Sequence, residues 1–249
     1  MSEALKQTVL ITGAGRGLGR ALAAHLAAPG MLVLLHYHHS TEGVAETAQM
    51  VRERGAEPAL LGADLSRLEQ REALAEQVTS LLTTRGLGLH LLLHNAGVYP
   101  EADLLEITPE QWLSVMETNC GAVFHLSRAL LPMLERGAAQ AGRARVLVIG
   151  DSGAERVTAR VRATPYHVAK LGAHVLVRSF AKVLTGRGIT VNMVSPGFLE
   201  NSVGEPGSPV PAGRLGAFRD ILGAVDYLLG EGADYVSGAN IIVSGGWNL

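Results

Sequence analysis

At 249 residues, with Lys+Arg 21 against Asp+Glu 23 and a formal net charge of −2, the chain lacks the basic excess that holds a nucleic-acid backbone. A fold of this length buries roughly 75% of its unfolded surface and needs no covalent staple, and the single cysteine, Cys120, has no partner for an internal disulfide. No stretch approaches the ~18 apolar residues of a membrane-spanning helix, and residues 1–7 lack a signal-peptide pattern. The expectation is a cytoplasmic chain, one domain over 1–249, that acts on a small molecule and has no nucleic-acid or membrane partner.

Apolar runs too short for helices alternate with longer amphipathic stretches, the pattern of strands joined by crossover helices in an α/β fold. Strands are expected at 8–12, 32–36, 58–61, 89–93, 145–149, 190–194 and 240–243. Most are apolar on both faces, as parallel strands covered from both sides are. Helices are expected at 17–28, 41–54, 67–84, 109–135, 166–184 and 217–229. The fourth opens on Thr108-Pro109-Glu110-Gln111, a capping hydroxyl, a proline at the first helical position and a glutamine that reaches back. The Pro/Gly-rich segment 204–213 falls between the sixth strand and the last helix, and is read as a loop over the site.

Between the first strand and first helix stands Thr12-Gly13-Ala14-Gly15-Arg16-Gly17-Leu18-Gly19. Glycines let the chain turn sharply and bring backbone N–H groups against a pyrophosphate, whose charge a helix N-terminus favours. The spacing, G-x-x-x-G-x-G at Gly13, Gly17 and Gly19, differs from the common G-x-G-x-x-G, so the strand and helix around it carry the argument. An acidic residue at the end of the second strand would select the ribose hydroxyls of NAD. Here Leu35-His36-Tyr37-His38-His39-Ser40 has none, and Arg16 adds a fixed positive charge, so the cofactor expected is NADP(H). The three histidines have no carboxylate or cysteine beside them, and no metal is expected.

Tyr166 and Lys170 lie one helical turn apart, on one face. A lysine ammonium beside a phenol stabilises the phenolate and makes tyrosine an acid or base near neutral pH. The bland alternative is an amphipathic helix with a snorkelling lysine, against which stands the rarity of lysine, present only as Lys6, Lys170 and Lys182. The fifth strand ends in Ile149-Gly150-Asp151-Ser152-Gly153, which places a carboxyl and a hydroxyl at the edge where open α/β sheets bind ligands. Asn95-Ala96-Gly97 follows the fourth strand in the same way, and Asn119 interrupts an apolar helical stretch where its amide competes for backbone bonds.

Taken in order, the glycine turn, Gly62-Ala63-Asp64-Leu65, Asn95-Ala96-Gly97, Asn119, Tyr166-x-x-x-Lys170 and Ser195-Pro196-Gly197 resemble the short-chain dehydrogenase/reductase family over nearly the whole chain. The resemblance implies a Rossmann-type, doubly wound parallel sheet of about seven strands with helices on both faces, and a homotetramer. By it Asp64, with Leu65, would contact adenine, and Asn95, Ala96, Gly97, Pro196 and Gly197 would line the cofactor. Tyr166 would transfer the proton, Lys170 would hold the nicotinamide ribose and lower the tyrosine pKa, and Asn119 would order a water in the proton relay.

The family's catalytic serine has no clear counterpart. Counting from the preceding strand reaches Asp151, counting the customary interval back from Tyr166 reaches Gly153, and Ser152 lies between. An Asp in that column, the Leu35 to Ser40 segment and Asn95-Ala96-Gly97-Val98-Tyr99-Pro100 are similar to pteridine reductases, by which His38, His39 and Ser40 would surround the 2′-phosphate, with Tyr37 also at the cofactor. Thr12 to Gly17, Glu117-Thr118-Asn119 and Val210 to Gly216 are similar to 3-oxoacyl-carrier-protein reductases. The expectation is an NADPH-dependent reduction of a dihydropteridine-like heterocycle, with a 3-oxoacyl thioester or other small carbonyl as the alternative and an NADPH-sensing regulator as the non-enzyme alternative.

Overall fold

The computed structural model describes residues 7–203 and 206–247. The reading of the N-terminus ahead of Gln7, of Gly204 and Glu205 in the late loop, and of the last two residues of the apolar C-terminal segment lies outside the described residues.

Seven strands form one parallel sheet: β1 (Gln7–Ile11), β2 (Met31–Tyr37), β3 (Glu57–Gly62), β4 (Leu91–His94), β5 (Ala144–Ile149), β6 (Ile189–Pro196) and β7 (Asn240–Val243). Their order is β3-β2-β1-β4-β5-β6-β7, so the chain moves outward from β1 in one direction, returns, and moves outward from β4 in the other. Side chains alternate across the sheet and feed two cores. Leu10, Leu34, Leu92 and Val146 face α3 (Leu68–Thr84) and α7 (Thr164–Leu184). Ile11, Leu35, Leu93 and Leu147 face α1 (Gly17–Leu26), α2 (Thr41–Glu53) and α8 (Phe218–Leu229). Both faces are covered, which is why the central strands read as continuous apolar runs.

The helix expected over 109–135 is three helices. α4 (Pro109–Met116) begins on the expected capping box, in which the Gln111 amide N–H donates to Thr108 Oγ1 at 3.2 Å and the Thr108 N–H donates to Gln111 Oε1 at 3.0 Å. A π turn, Glu117–Gly121, then joins it to α5 (Ala122–Ala129), and α6 (Leu131–Ala141) follows. Two side chains claim carbonyls where α4 runs into the turn: Asn119 Nδ2 donates to the Val115 carbonyl at 2.9 Å, and Arg71 Nη1 donates to the Glu117 carbonyl at 3.2 Å. The ladder widens around these claimed groups, as π turns at functional sites do. The second break falls at Leu130, because Pro132 has no N–H to continue α5 and fits the first turn of a new helix.

Two histidines tie the sheet to its surroundings. His36, in β2, accepts from the Gly13 N–H at Nδ1 (3.1 Å) and contacts the Ala63 carbonyl through Nε2 (3.0 Å), so Nε2 carries the proton. His94, at the end of β4, meets Ser127 Oγ on α5 at 3.0 Å. Burial lowers the first to about 4, against a smaller raising effect of the Ala63 bond, and burial aided by Lys170 lowers the second to about 3. The folded state refuses protons that the unfolded chain accepts below about 6.5, so stability falls as pH drops from there towards those two values. The expected loss is about 1.4 kcal/mol per pH unit for each fully linked group. Urea unfolding at pH 7.5 and 5.5 measures it. His94→Asn is expected to show a shallower pH dependence than the parent, and equal midpoints for the parent at both pH values would contradict the account.

Candidate active site

A doubly wound sheet opens at its carboxyl edge where the chain reverses direction, here between β1 and β4. Thr12, just past β1, closes that gap from below: its N–H donates to the Leu93 carbonyl, and its Oγ1 accepts from the N–H groups of Asn95 and Ala96, all at 3.0 Å. Asn95 returns both amide hydrogens to the turn, to the carbonyls of Thr12 (3.0 Å) and Gly13 (3.1 Å). Gly13 turns the chain at φ +69°, and a Cβ on Gly19 would stand 2.1 Å from the Gly13 carbonyl oxygen, so both positions require glycine.

Over this turn lies a cleft of about 1210 Å³. Gly13, Arg16, Gly17, Leu18 and Gly19 form its floor at the N-terminus of α1, and Tyr37, His38, His39 and Ser40 form the wall beyond β2. Asp64 and Leu65 close the end beyond β3, with Asn95, Ala96 and Gly97 beyond β4. Asp64 Oδ1 accepts from the N–H and the hydroxyl of Ser66 at 2.9 and 2.7 Å. Burial pushes its carboxyl up, and these bonds with the nearby His38 and Arg67 bring it below its ordinary value. The His38 and His39 rings stack with centroids 3.5 Å apart, and His38 Nε2 lies 3.9 Å from Asp64 Oδ2. The glycine cradle, the helix terminus and a donor wall without a carboxylate at the end of β2 suit a dinucleotide that carries an extra phosphate.

Through Asn95 and Gly97 this cleft joins a second one of about 780 Å³. Tyr166 and Lys170, on the first turns of α7, face it together with Asp151, Ser152, Pro196 and Gly197. Lys170 Nζ is buried, donates to the Ile149 carbonyl at 2.7 Å and lies 5.7 Å from the Tyr166 ring centroid. Burial brings the ammonium down to about 8, partly countered by Asp151. The Tyr166 hydroxyl donates to Asp151 Oδ2 at 3.4 Å. Burial, followed by the Asp151 charge, holds the phenol well above its ordinary value. This corrects the expectation of a lysine-depressed phenol: desolvation and the carboxylate prevail, and Tyr166 is a neutral O–H donor.

At the serine column the two candidates are placed differently. Asp151 reaches Tyr166, with its other oxygen accepting from the Gly153 N–H at 2.8 Å, whereas Ser152 is buried with its N–H on the Pro196 carbonyl at 2.9 Å. Asn119 sits in the π turn behind Gly97, its amide nitrogen on the carbonyls of Val98 and Val115 at 3.0 and 2.9 Å. Its Oδ1 is buried without a partner, the acceptor a relay water would use.

Sequence reasoning missed part of the second cleft. His167 lines it beside Tyr166, ring centroids 5.4 Å apart, a position signalled only by adjacency to the Tyr-x-x-x-Lys pair. Tyr99 packs edge-on to Tyr166 at 5.0 Å, and Phe198 meets Trp247 at 5.2 Å, an aromatic wall assembled from three loops far apart in the chain. Among the described residues no three His, Cys, Asp or Glu side chains gather as a metal site, and no helix is long and apolar enough to cross a membrane.

A nucleotide cleft opening directly onto a tyrosine that can give a proton defines a nucleotide-dependent oxidoreductase. Residues 13–248 match the family described as enoyl-(acyl carrier protein) reductase. The chain is 33% identical over 249 residues to a 3-oxoacyl-[acyl-carrier-protein] reductase of Haemophilus influenzae, covering 96% of this chain and 97% of that one. Among solved structures it is similar to the angucycline C-6 ketoreductase LanV with bound NADP (TM-score 0.85, 29% identity, 98% of this chain and 96% of that one). It is similar also to the Pseudomonas aeruginosa RhlG/NADP complex (TM-score 0.85, 30% identity, 100% and 98%). The chain belongs to the short-chain dehydrogenase/reductase family.

Because the phenol lies above its ordinary range and the lysine at about 8, the member of this pair that titrates in the working range is Lys170. The rate of reduction is therefore expected to fall as pH rises through about 8, as the ammonium loses its charge. In Lys170→Arg the guanidinium stays charged, and kcat/KM, at whatever reduced level, should lose that limb. A limb of the same position in both proteins would assign it to another group.

Proposed function

We propose that the chain is an NADPH-dependent reductase of a small ketone, with the 3-oxoacyl thioester named for its curated relatives as the leading substrate class. The observation that carries the reading is the neutral Tyr166 hydroxyl in a cleft that shares Asn95 and Gly97 with the nucleotide cleft. The nicotinamide, when bound, supplies a hydride to the carbonyl carbon. Tyr166 gives its proton to the carbonyl oxygen, and the Lys170 ammonium stabilises the phenolate left behind. Asn119 Oδ1 accepts from a water that returns the proton towards Lys170. In this role Gly13, Arg16, Gly17, Leu18 and Gly19 hold the pyrophosphate, His38, His39 and Ser40 the 2′-phosphate, and Asp64 the adenine. The Tyr166, Lys170 and Asn119 set disfavours a regulator that only senses NADPH, since sensing needs no proton donor.

A second reading rests on Asp151. A carboxylate beside Tyr166 repels the negative charge that develops on a ketone oxygen, and helps there only when protonated. It accepts readily from a ring N–H, and Tyr99, Phe198 and Trp247 suit a flat ring. A dihydropteridine-like heterocycle meets both conditions.

Tyr166→Phe is expected to lower kcat by about 10²–10⁴ on the best substrate while NADPH affinity, read by fluorescence titration, changes little. Full turnover by this variant would remove the proton role. Asp151→Ser separates the two readings. It should preserve or raise turnover of an acetoacetyl thioester if ketone reduction is the activity, and should lower turnover of a dihydropteridine if the carboxylate holds a ring N–H.

A further inference from the structure

The wall of the nucleotide cleft beyond β2 offers a phosphate two imidazoles and one hydroxyl, His38, His39 and Ser40, with no lysine or arginine among them. Across the cleft Arg16 supplies a permanent charge. A site read by Arg alone binds phosphate with the same charge at any physiological pH, whereas imidazole changes charge within that range. We propose that His38 and His39 form a proton-linked reader of the 2′-phosphate, so that NADP(H) binds with uptake of protons and its advantage over NAD(H) shrinks as pH rises. The inference deepens the proposed cofactor site and rests on the assignment of these residues to the 2′-phosphate.

The two rings are close neighbours, with centroids 3.5 Å apart and planes tilted by 32°. Two positive charges at that separation would repel each other, and a phosphate monoester, whose second pKa of about 6 makes it close to a dianion above neutrality, offsets that repulsion. NAD(H) lacks the phosphate and brings no such charge.

The surroundings do not supply a substitute for the second cation. Arg20, at the start of α1, is committed to the carbonyls of Gly15 and Gly43 at 2.9 and 3.2 Å and to Glu46 of α2 at 2.8 Å. Arg67, beyond β3, pairs with Glu69 at 2.7 Å. Glu42 and Glu46 on α2 and Asp64 beyond β3 are acidic, and Asp64 stands 3.9 Å from His38 Nε2. His36, beneath the glycine turn, is kept neutral by burial, which lowers it to about 4. Arg16 and the two imidazoles therefore carry the charge facing the phosphate.

Calorimetric titration of NADP+ and of NAD+ into the intact chain at pH 7.5, in buffers of differing ionisation enthalpy, counts the protons taken up. Uptake of about 0.5–1 proton is expected with NADP+ and near zero with NAD+, and the ratio of the two affinities should fall about tenfold per pH unit for each proton linked. His39→Arg should abolish most of the uptake and flatten the ratio between pH 6.5 and 8.5. His39→Gln should lower the ratio at pH 6.5 most. Because the readout is a ratio, a folding defect, which lowers both affinities, is separable. NADP+ binding without proton uptake, at a ratio constant with pH, would overturn the inference while leaving the cofactor site intact. Uptake that persists undiminished in both His38→Arg and His39→Arg would overturn it also, and failure of NADP+ to bind at any pH would overturn the cofactor assignment with it.

Discussion

The bonds that Thr12 and Asn95 exchange across the parting of the sheet are the constraint on which both clefts depend. A parallel sheet that is built outward in two directions leaves backbone groups unpaired at the carboxyl ends of its two central strands, and such groups must find partners. Here one hydroxyl and one amide satisfy them: Thr12 Oγ1 takes the N–H groups beyond β4, and Asn95 Nδ2 bridges the carbonyls of the glycine turn. The turn is thereby held beneath the cleft, at the N-terminus of α1. His36 adds a third tie from β2 through Gly13. The strands belong to the packing of the molecule, but their ends are where that packing becomes a binding site.

Burial decides the chemistry in the second cleft. Lys170 is enclosed by the Ile149 carbonyl and the helix, and desolvation weakens its hold on the proton. Tyr166 is enclosed too, next to a carboxylate, and desolvation strengthens its hold. The two shifts run in opposite directions and move the pair apart, since each disfavours the charged form of its group. Charge on the ammonium is then most valuable when a phenolate forms, which is during proton transfer rather than before it.

Much of this was legible in the sequence, and what was not has physical causes. The seven strands follow from apolar runs because both faces of the sheet are covered, a condition that composition alone satisfies. The glycine turn, Tyr166, Lys170 and Asn95 lie in the clefts where their spacing placed them, and Asn119 is buried behind Gly97. The π turn did not show, because it depends on Arg71, which reaches Glu117 from α3 across the core. Nor did the neutral phenol, since the sign of a pKa shift follows from burial and from a carboxylate remote in sequence. The aromatic wall is assembled by loops, and no periodicity reports on loops.

The serine column is the instructive case, because two ways of counting disagreed and the sheet decides between them. β5 and β6 run in register to Ile149 and Val194, and the ladder continues beyond them: the Gly150 N–H donates to the Val194 carbonyl at 2.8 Å and the Ser152 N–H to the Pro196 carbonyl at 2.9 Å. Both N–H groups are thereby held on β6, and just past the end of β5 the Asp151 carboxylate meets the Tyr166 hydroxyl at 3.4 Å. The added length before α7 is taken up further on. There the chain doubles against the segment beyond β4, with the Leu104 N–H on the Val161 carbonyl at 2.7 Å and the Ala163 N–H on the Ala102 carbonyl at 2.9 Å. It re-enters the helix through Ala163, held at φ 51°, a left-handed conformation that costs a side chain energy and that its burial and neighbours sustain. Position along a strand is fixed by hydrogen bonds, whereas position along a loop is not, so the residue that faces the tyrosine is the one counted from the strand.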